Sequence, residues 1–260
     1  MIQLYNGDCL DLLKDVPDGC VDCVVADLPY AVLNRSNSHA RWDKAIDMTK
    51  LWPELGRVCK QNAAVILFGQ GFFSAQLIMS NPENYRYTLI WDKVNRPTGF
   101  LDANRRPLRI HEDILVFYHA QPTYNPQMTY GEKCHRRGKP DNAVNGRNRC
   151  YGKFDDVPTL LTNEKFPTSI LSFEKEHKNN GYHHPTMKPV ALCEWLIKTY
   201  SNEGDIILDV TMGSGTTGVA AVNTNRSFIG MELTEEYFNI ASERIRLAEI
   251  EMSQNLFKLM

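Results

Sequence analysis

The segment DLPY directly follows the apolar run VDCVVA (21–26), so that several groups capable of chemistry meet where a strand would end. Asp27 supplies a carboxylate, and the main-chain carbonyl of Leu28 supplies a second hydrogen-bond acceptor. Pro29 restricts the backbone of the turn, and Tyr30 offers an aromatic face. Taken alone, the segment also fits a strand that ends in a proline turn and has no function.

A second group of candidate residues lies in DIILDVTMGSGTTGVAA (205–221), which has the pattern of a strand, a tight glycine turn and the start of a helix. Its G-x-G-x-x-G spacing is formed by Gly213, Gly215 and Gly218. Such a turn lets a cofactor approach the main chain, and Glu232, after the next apolar run, could accept hydrogen bonds from ribose hydroxyls. A nicotinamide cofactor fits this spacing. However, Asp209 would repel a pyrophosphate and attract a positively charged cofactor, which favours the latter.

Strands and helices are predicted to alternate along the chain, as in α/β proteins. Apolar runs predict six strands, at residues 21–26, 63–68, 85–91, 113–119, 205–210 and 227–231. Helical patterns predict helices at residues 47–60, 72–80, 189–200 and 217–223 and from residue 235 onward. The last helix carries an apolar stripe that predicts packing on the sheet, made of Phe238, Ala241, Ile245, Ala248 and Met252. We therefore expect a Rossmann-like, mostly parallel sheet with helices on both faces.

The periodicity fails between residues 121 and 180, where proline, glycine and asparagine are frequent, so we predict an irregular insertion there. Within it, residues 131–153 hold seven basic and two acidic side chains, a local charge of +5 against −7 for the rest of the chain. A solvated loop and a phosphate-binding segment both fit this charge pattern.

Composition and charge exclude some classes of protein. The 260 residues are 43% hydrophobic, enough for a substantial core, and a net charge of −2 argues against a globally basic nucleic-acid coat. We see no signal-peptide pattern and no apolar run long enough for a membrane span, and seven scattered cysteines suit a reducing cytoplasm. Cys20 and Cys23 form a C-x-x-C without a second ligand pair at zinc spacing, so we predict buried thiols and no metal.

Four motifs together resemble those of the S-adenosylmethionine-dependent DNA amino-methyltransferases. They are NGDCLDLL at 6–13, DLPY at 27–30, HPTMKP at 184–189 and DVTMGSGTT at 209–217. The D-x-P-Y motif precedes the glycine loop, as in the permuted beta group of that family, and the segments 89–93 and 106–118 are similar to that group's middle strands. The resemblance covers most of the chain outside 120–180 and implies the permuted methyltransferase topology. Leu28 departs from the commonest form of the motif, which has proline there.

The resemblance implies that the DLPY residues act on the exocyclic amine of a base, whose lone pair is delocalised into the ring. Asp27 would accept one amino hydrogen and the Leu28 carbonyl would accept the other, so that the nitrogen becomes a better nucleophile. Tyr30 would stack on the base, and Pro29 would fix the turn. Adenine N6 is favoured over cytosine N4, because the family tends to have aspartate in the first position for adenine.

The resemblance also implies S-adenosyl-L-methionine as the cofactor. The residues that would bind it are Asp8, Thr186, Lys188, Asp209, Gly213, Gly215, Thr216 and Glu232. Structural alternatives stay open for two of them: Asp8 could cap a short helix, and Lys188 could be a solvent-facing residue at a helix start. His111 and Glu112 lie in a family-like stretch, but the sequence assigns no chemical role to them.

DNA is the implied substrate and partner. We expect residues 1–120 and 181–260 to form the catalytic domain and 121–180 to form an inserted target-recognition region. The candidate DNA-binding residues are Lys133, Arg136, Arg137, Lys139, Arg147 and Arg149. A homodimer and a cognate restriction enzyme stay open as partners. The alternative functions are methylation of cytosine N4, methylation of RNA or protein amides, and a non-catalytic DNA-binding subunit with the same fold.

Overall fold

The computed structural model of the protein describes residues 1–30, 44–137, 160–175 and 187–259. Two compact units are present. The larger one comprises Met1–Asn125 and Ser169–Met260, and the smaller one comprises Pro126–Thr168. The larger unit therefore includes parts of the segment that we expected to form a separate insertion.

The larger unit contains an eight-stranded sheet with the strand order β1-β10-β9-β2-β3-β5-β4-β8. Its strands are β1 (Ile2–Asn6), β2 (Val21–Ala26), β3 (Cys59–Gly69), β4 (Tyr85–Asp92), β5 (His111–Phe117), β8 (Ile170–Ser172), β9 (Ile206–Asp209) and β10 (Ser227–Glu232). Among these strands, β5 runs antiparallel to both of its neighbours, and the other pairs are parallel. The sheet is thus mostly parallel, as predicted.

Helices lie on both faces of this sheet. They are α1 (Cys9–Leu12), α2 (Met48–Val58), α3 (Phe72–Ser80), α4 (Val190–Tyr200), α5 (Thr216–Asn223) and α6 (Glu235–Leu259). Successive residues of β2 point to opposite faces: Cys23 and Val25 join the core under α4, α5 and α6, whereas Val24 and Ala26 join the core under α1, α2 and α3. A strand that is buried on both faces reads as a continuous apolar run, which explains why β2 was recognisable.

The predicted Rossmann-like architecture is confirmed, and all six predicted strands are present. The final helix buries Ala241, Ile245 and Ala248, with Phe238 and Met252 packed against the same core, so the predicted stripe is also confirmed. The sequence did not predict β1. Nor did it predict strands within residues 121–180, where β8 in fact extends the sheet beside β4.

The smaller unit contains an antiparallel pair, β6 (Thr129–Arg137) and β7 (Leu160–Lys165). The register shifts between Tyr130 and His135, as in a strand with a bulge. Lys133, Arg136 and Arg137 lie on β6. The remaining candidate DNA-binding residues, Lys139, Arg147 and Arg149, lie outside the described residues.

Two further features bear on the sequence predictions. Cys23 is buried, as predicted, whereas Cys20 is only half-buried. None of the helices in the described residues combines the length and the apolar character that crossing a membrane requires.

Candidate active site

The carboxyl ends of two neighbouring parallel strands bring the two acidic motifs together. β2 pairs with β9 through Val24 and Leu208, so Asp27 and Asp209 emerge at the same edge of the sheet. The hydroxyl of Thr211, in the glycine loop, donates a hydrogen bond of 3.1 Å to the main-chain carbonyl of Asp27. Ligands of open α/β sheets bind at this edge, which makes it the candidate active site.

Both carboxylate oxygens of Asp27 are engaged. Oδ1 accepts a hydrogen bond of 3.1 Å from the hydroxyl of Tyr30, and Oδ2 accepts one from the ammonium of Lys188. Burial raises the pKa of Asp27 above its ordinary value, and the charge of Lys188 offsets part of this effect. The carboxylate is therefore held in a fixed direction by two donors.

Tyr30 and its neighbours form the side of this site that faces α3. The Tyr30 ring stacks on Phe73 with 4.5 Å between ring centroids and 29° between ring planes. Leu28 is 2% exposed and packs in the core, so the leucine in place of proline is accommodated as a buried apolar residue. Burial raises the pKa of the Tyr30 hydroxyl well above its usual range, which keeps it a hydrogen-bond donor.

Lys188 occupies a position that contradicts the solvent-facing alternative from the sequence analysis. It is buried rather than solvent-facing, and its ammonium bridges Asp27 and Glu112, 3.3 Å from Glu112 Oε2. The ammonium also lies 4.9 Å from the centroid of the Phe68 ring. Burial lowers the pKa of Lys188, but the charges of Asp27 and Glu112 outweigh it and raise the pKa overall.

Glu112, for which the sequence gave no role, is the second carboxylate of this cluster. Its Oε1 lies 2.5 Å from the ammonium of Lys93, a side chain that is only 1% exposed. Burial raises the pKa of Glu112, but Lys188 and Lys93 more than compensate and lower it overall. The sequence signal for Glu112 was its place in the segment 106–118, which resembles the family's middle strands; in the structure it lies on β5 opposite Trp91 of β4.

The glycine loop connects β9 to α5. Gly213 and Gly215 have φ angles of +52° and +81°, in the left-handed region that favours glycine. A Cβ on Gly215 would lie 2.9 Å from Ala241, so this glycine lets α6 approach closely. A Cβ on Gly213 would meet nothing nearer than the Thr211 carbonyl at 4.0 Å, which leaves the main chain accessible.

Glu232 supports the glycine loop from β10. Its Oε2 accepts a hydrogen bond of 2.9 Å from the Gly213 N–H, and its Oε1 accepts one of 2.8 Å from the Thr234 N–H. Its main-chain carbonyl accepts hydrogen bonds from Asn6 Nδ2 and the Gly7 N–H, at 2.8 and 2.9 Å. These contacts bring the turn after β1 to the same site.

Asp8 and Thr216 lie on helix starts beside this loop. Asp8 caps α1 by accepting a hydrogen bond of 2.9 Å from the Leu10 N–H, which fits the structural alternative and leaves a cofactor contact compatible. Thr216 is the first residue of α5 and is buried. Thr186 lies outside the described residues.

Asp209 is a buried acid that lacks a cation in the contacts described. It is 3% exposed and accepts a hydrogen bond of 3.0 Å from the Thr211 N–H. Burial raises its pKa to about 7, although the Thr217 hydroxyl and the Thr211 N–H act in the opposite direction. A positively charged ligand beside Asp209 would relieve this cost, as would be expected for a cofactor that bears a sulfonium and an ammonium.

Comparison with known families identifies the family of this chain. A family model described as a DNA methylase, the N6/N4 methyltransferase family, matches residues 21–243. The chain belongs to this family. Residues 21–243 extend from β2 to α6, so the match includes both the DLPY segment and the glycine loop of the DNA methyltransferase.

Known proteins resemble this DNA methyltransferase along most of its length. It is 28% identical to the type II methyltransferase M.BglII of Bacillus subtilis over 92% of this chain and 67% of that protein. It is 26% identical to the type II methyltransferase M.HpaI of Haemophilus parainfluenzae over 94% of this chain and 74% of that protein. A crystal structure of M1.HpyAVI with SAM matches with a TM-score of 0.62 and 25% identity, covering 94% of this chain and 99% of that one.

The PvuII DNA methyltransferase, described as cytosine-N4-specific, shares the fold with a TM-score of 0.67 at 16% identity, over 97% of this chain and 90% of that one. The protein is thus an S-adenosylmethionine-dependent DNA amino-methyltransferase whose family acts on adenine N6 or cytosine N4. The accessible main chain at Gly213 and the uncompensated acid at Asp209 fit this cofactor.

Proposed function

We propose that this DNA methyltransferase transfers a methyl group to the N6 amine of adenine. The observation that carries the proposal is the Asp27 carboxylate, held by two donors at the carboxyl end of β2 beside the glycine loop. Aspartate in this position of the D-x-P-Y motif is what the family tends to use for adenine. Methylation of cytosine N4 is the alternative, because the same carboxylate could accept a hydrogen from either amine.

In the proposed mechanism, Asp27 accepts one amino hydrogen and the Leu28 carbonyl accepts the other. The nitrogen lone pair then becomes localised and points away from the ring. The bound cofactor would supply an activated methyl carbon: its carbon–sulfur bond breaks as the bond to the amine nitrogen forms, and S-adenosylhomocysteine leaves. The methylated amine then loses one proton, for which Asp27 is the nearby acceptor. The protein contributes mainly by positioning, which can lower a barrier by about 7 to 11 kcal/mol when the reacting groups are held in a near-attack arrangement.

The orientation of Asp27 is supported by its surroundings. Tyr30 donates to Oδ1 while its ring rests on Phe73, so the hydroxyl has a fixed direction. The Thr211 hydroxyl holds the Asp27 carbonyl and so connects this turn to the cofactor loop. We propose that Tyr30 stacks on the target base and that Pro29 keeps the turn in place.

We propose that the cofactor is bound along the glycine loop, β10 and the turn after β1. The residues assigned to this role are Asp8, Thr186, Asp209, Gly213, Gly215, Thr216 and Glu232. We also assign Lys188 to this role, and its contact with Asp27 places it beside the base side of the site as well.

DNA would be bound by the region 121–180, with the basic residues of 131–153 on the phosphates. A base within a duplex hides its amine, so it must be swung out into the site at a cost of a few kcal/mol. A homodimer and a cognate restriction enzyme are also proposed on the basis of the resemblance alone, and a cytoplasmic location is proposed on the basis of cysteine usage.

The test is methyl transfer from labelled S-adenosylmethionine to DNA, followed by nucleoside mass spectrometry. N6-methyladenine is the expected product, and Asp27→Ala should abolish transfer while cofactor affinity is retained. Asp11→Ala serves as the control, because Asp11 is an exposed acid paired with Lys14 on the surface. An N4-methylcytosine product would refute the base assignment. Transfer by Asp27→Ala at most of the wild-type rate would refute the catalytic role of Asp27.

A further inference from the structure

The mechanism proposed above uses Lys188 only as a donor that fixes Asp27 and gives no role to Glu112, although both side chains are buried beside the reacting carboxylate. We propose that Lys188 exchanges carboxylates during the reaction: it holds Asp27 before the base enters and moves to Glu112 when the target amine takes its place. Glu112 is then a positioning residue. The inference rests on the proposed role of Asp27 as the acceptor for the amine, and it holds for either target base.

The first step of the argument concerns Asp27, whose two oxygens each already have a donor. Tyr30 occupies Oδ1 and Lys188 occupies Oδ2. An amine that donates to this carboxylate must therefore displace or share one of these donors. The Lys188 ammonium is the donor that can move, because Glu112 offers it a second carboxylate 3.3 Å away. The Tyr30 ring, in contrast, is held by stacking on Phe73.

The second step concerns Glu112, which has one occupied and one available oxygen. Lys93 pairs with Oε1 at 2.5 Å. Oε2 is buried and accepts no hydrogen bond from the described residues, although the Lys188 ammonium is only 3.3 Å away. A buried carboxylate oxygen without a directed donor is costly, so a small movement of Lys188 would satisfy it.

The third step compares the state in which Lys188 pairs with Asp27 and the state in which it pairs with Glu112. A buried lysine left without a partner is strongly destabilising, and exchange avoids this because Lys188 remains paired throughout. The Phe68 ring, 4.9 Å from the ammonium, offers a further favourable contact within the same site. Movement away from Asp27 also leaves this carboxylate free to stabilise positive charge that develops on the amine as it is methylated.

The proposed exchange predicts how Glu112→Gln will behave. The amide keeps the shape of the side chain but removes the charge that receives Lys188 and that pairs with Lys93. We expect the single-turnover rate of methyl transfer to fall about 10- to 100-fold, with cofactor affinity unchanged. Glu112→Asp, which keeps the charge with a shorter reach, should recover part of the rate. Glu243→Gln is the control, since Glu243 is exposed and pairs with Arg246 on the surface of α6.

A pH profile separates this role from a purely structural one. The charged or titratable groups that act on Asp27 or are acted on by it are Lys188, Glu112, Tyr30, Asp209 and Cys193. Lys188→Met removes the cation, so Asp27 binds its proton more tightly. The acidic limb of the pH–rate profile for methyl transfer should therefore move to higher pH. Glu112→Gln keeps the cation and removes a repelling acid, so its acidic limb should stay or move to lower pH while the plateau falls.

These measurements distinguish the inference from the proposed function. Mass spectrometry of the product reports which base is methylated, and N4-methylcytosine would overturn the adenine assignment while the comparison of rates stays valid. A Glu112→Gln variant that folds, as judged by circular dichroism and cofactor binding, and transfers methyl at the wild-type rate would overturn the exchange. An acidic limb that moves to higher pH in both variants would also overturn it, because Glu112 would then act only by keeping the site folded.

Discussion

Replacing Asp209 by asparagine should stabilise the protein while weakening its binding of the cofactor. The pKa of this buried acid rises from its ordinary 3.8 to about 7 on folding, so the folded state holds the proton more tightly than the unfolded state does. The contribution of Asp209 to stability is therefore complete below about pH 3.8 and is lost as the pH rises to about 7. At about 1.4 kcal/mol for each pKa unit, the loss amounts to about 4 kcal/mol above neutrality.

Asparagine keeps an oxygen that can accept from the Thr211 N–H but carries no charge. We compare the free energy of unfolding of Asp209→Asn with that of the wild type by urea denaturation without cofactor at several pH values. The variant should be more stable, and the difference should grow between pH 4 and 7. The difference should then level off at up to about 4 kcal/mol. Asp11→Asn is the control, because the pKa of exposed Asp11 is lowered by Lys14 and its replacement should give no such gain.

Cofactor binding completes the test of Asp209. A cation bound beside this acid favours its ionised form, so the wild-type protein should release a proton when it binds S-adenosylmethionine near pH 7. Calorimetry in buffers of different ionisation enthalpy would measure this release, which should be absent in Asp209→Asn. A variant that is less stable than the wild type at pH 8, or one that binds the cofactor equally well, would refute the reasoning.

Two further predictions concern the glycine loop and the basic strand. Gly215→Ala should lower the free energy of unfolding by about 2 to 3 kcal/mol, because its Cβ would lie 2.9 Å from Ala241 at a positive φ. Gly213→Ala places its Cβ in open space, so it should reduce cofactor affinity with a smaller loss of stability, as measured by urea denaturation. Arg136→Ala with Arg137→Ala on β6 should weaken DNA binding and flatten its dependence on salt, and equal affinity at several salt concentrations in a filter-binding assay would contradict a phosphate contact.

The main features of the sheet could be predicted because they depend on local pattern. β2 is buried on both faces and is followed directly by Asp27, and β9 ends at Asp209, so each acid marked a strand end in the sequence. β1 was missed because IQLYN is half-buried and ends on an exposed asparagine. β8 was missed because it has three residues and depends on β4 for its hydrogen bonds.

The charge cluster could not be predicted from local pattern. β5 was expected to begin at Asp113, yet the strand also includes His111 and Glu112. Lys188 is buried because Asp27, 161 residues earlier in the chain, provides its partner. Hydropathy scores a single charge as exposed, whereas burial of a charged pair is decided by tertiary contacts.

The pairing of β1 with β10 has a consequence for synthesis of the protein. Asn6 donates to the carbonyl of Glu232, 226 residues later in the chain. At about 5 to 20 residues per second, roughly 11 to 45 s separate the translation of these two residues. The strands from β2 to β5 can associate on the ribosome during this interval, whereas β1 cannot pair until β10 has been synthesised. The ability to bind a methyl donor is therefore acquired late in synthesis, after the part of the sheet that carries Asp27 has been able to form.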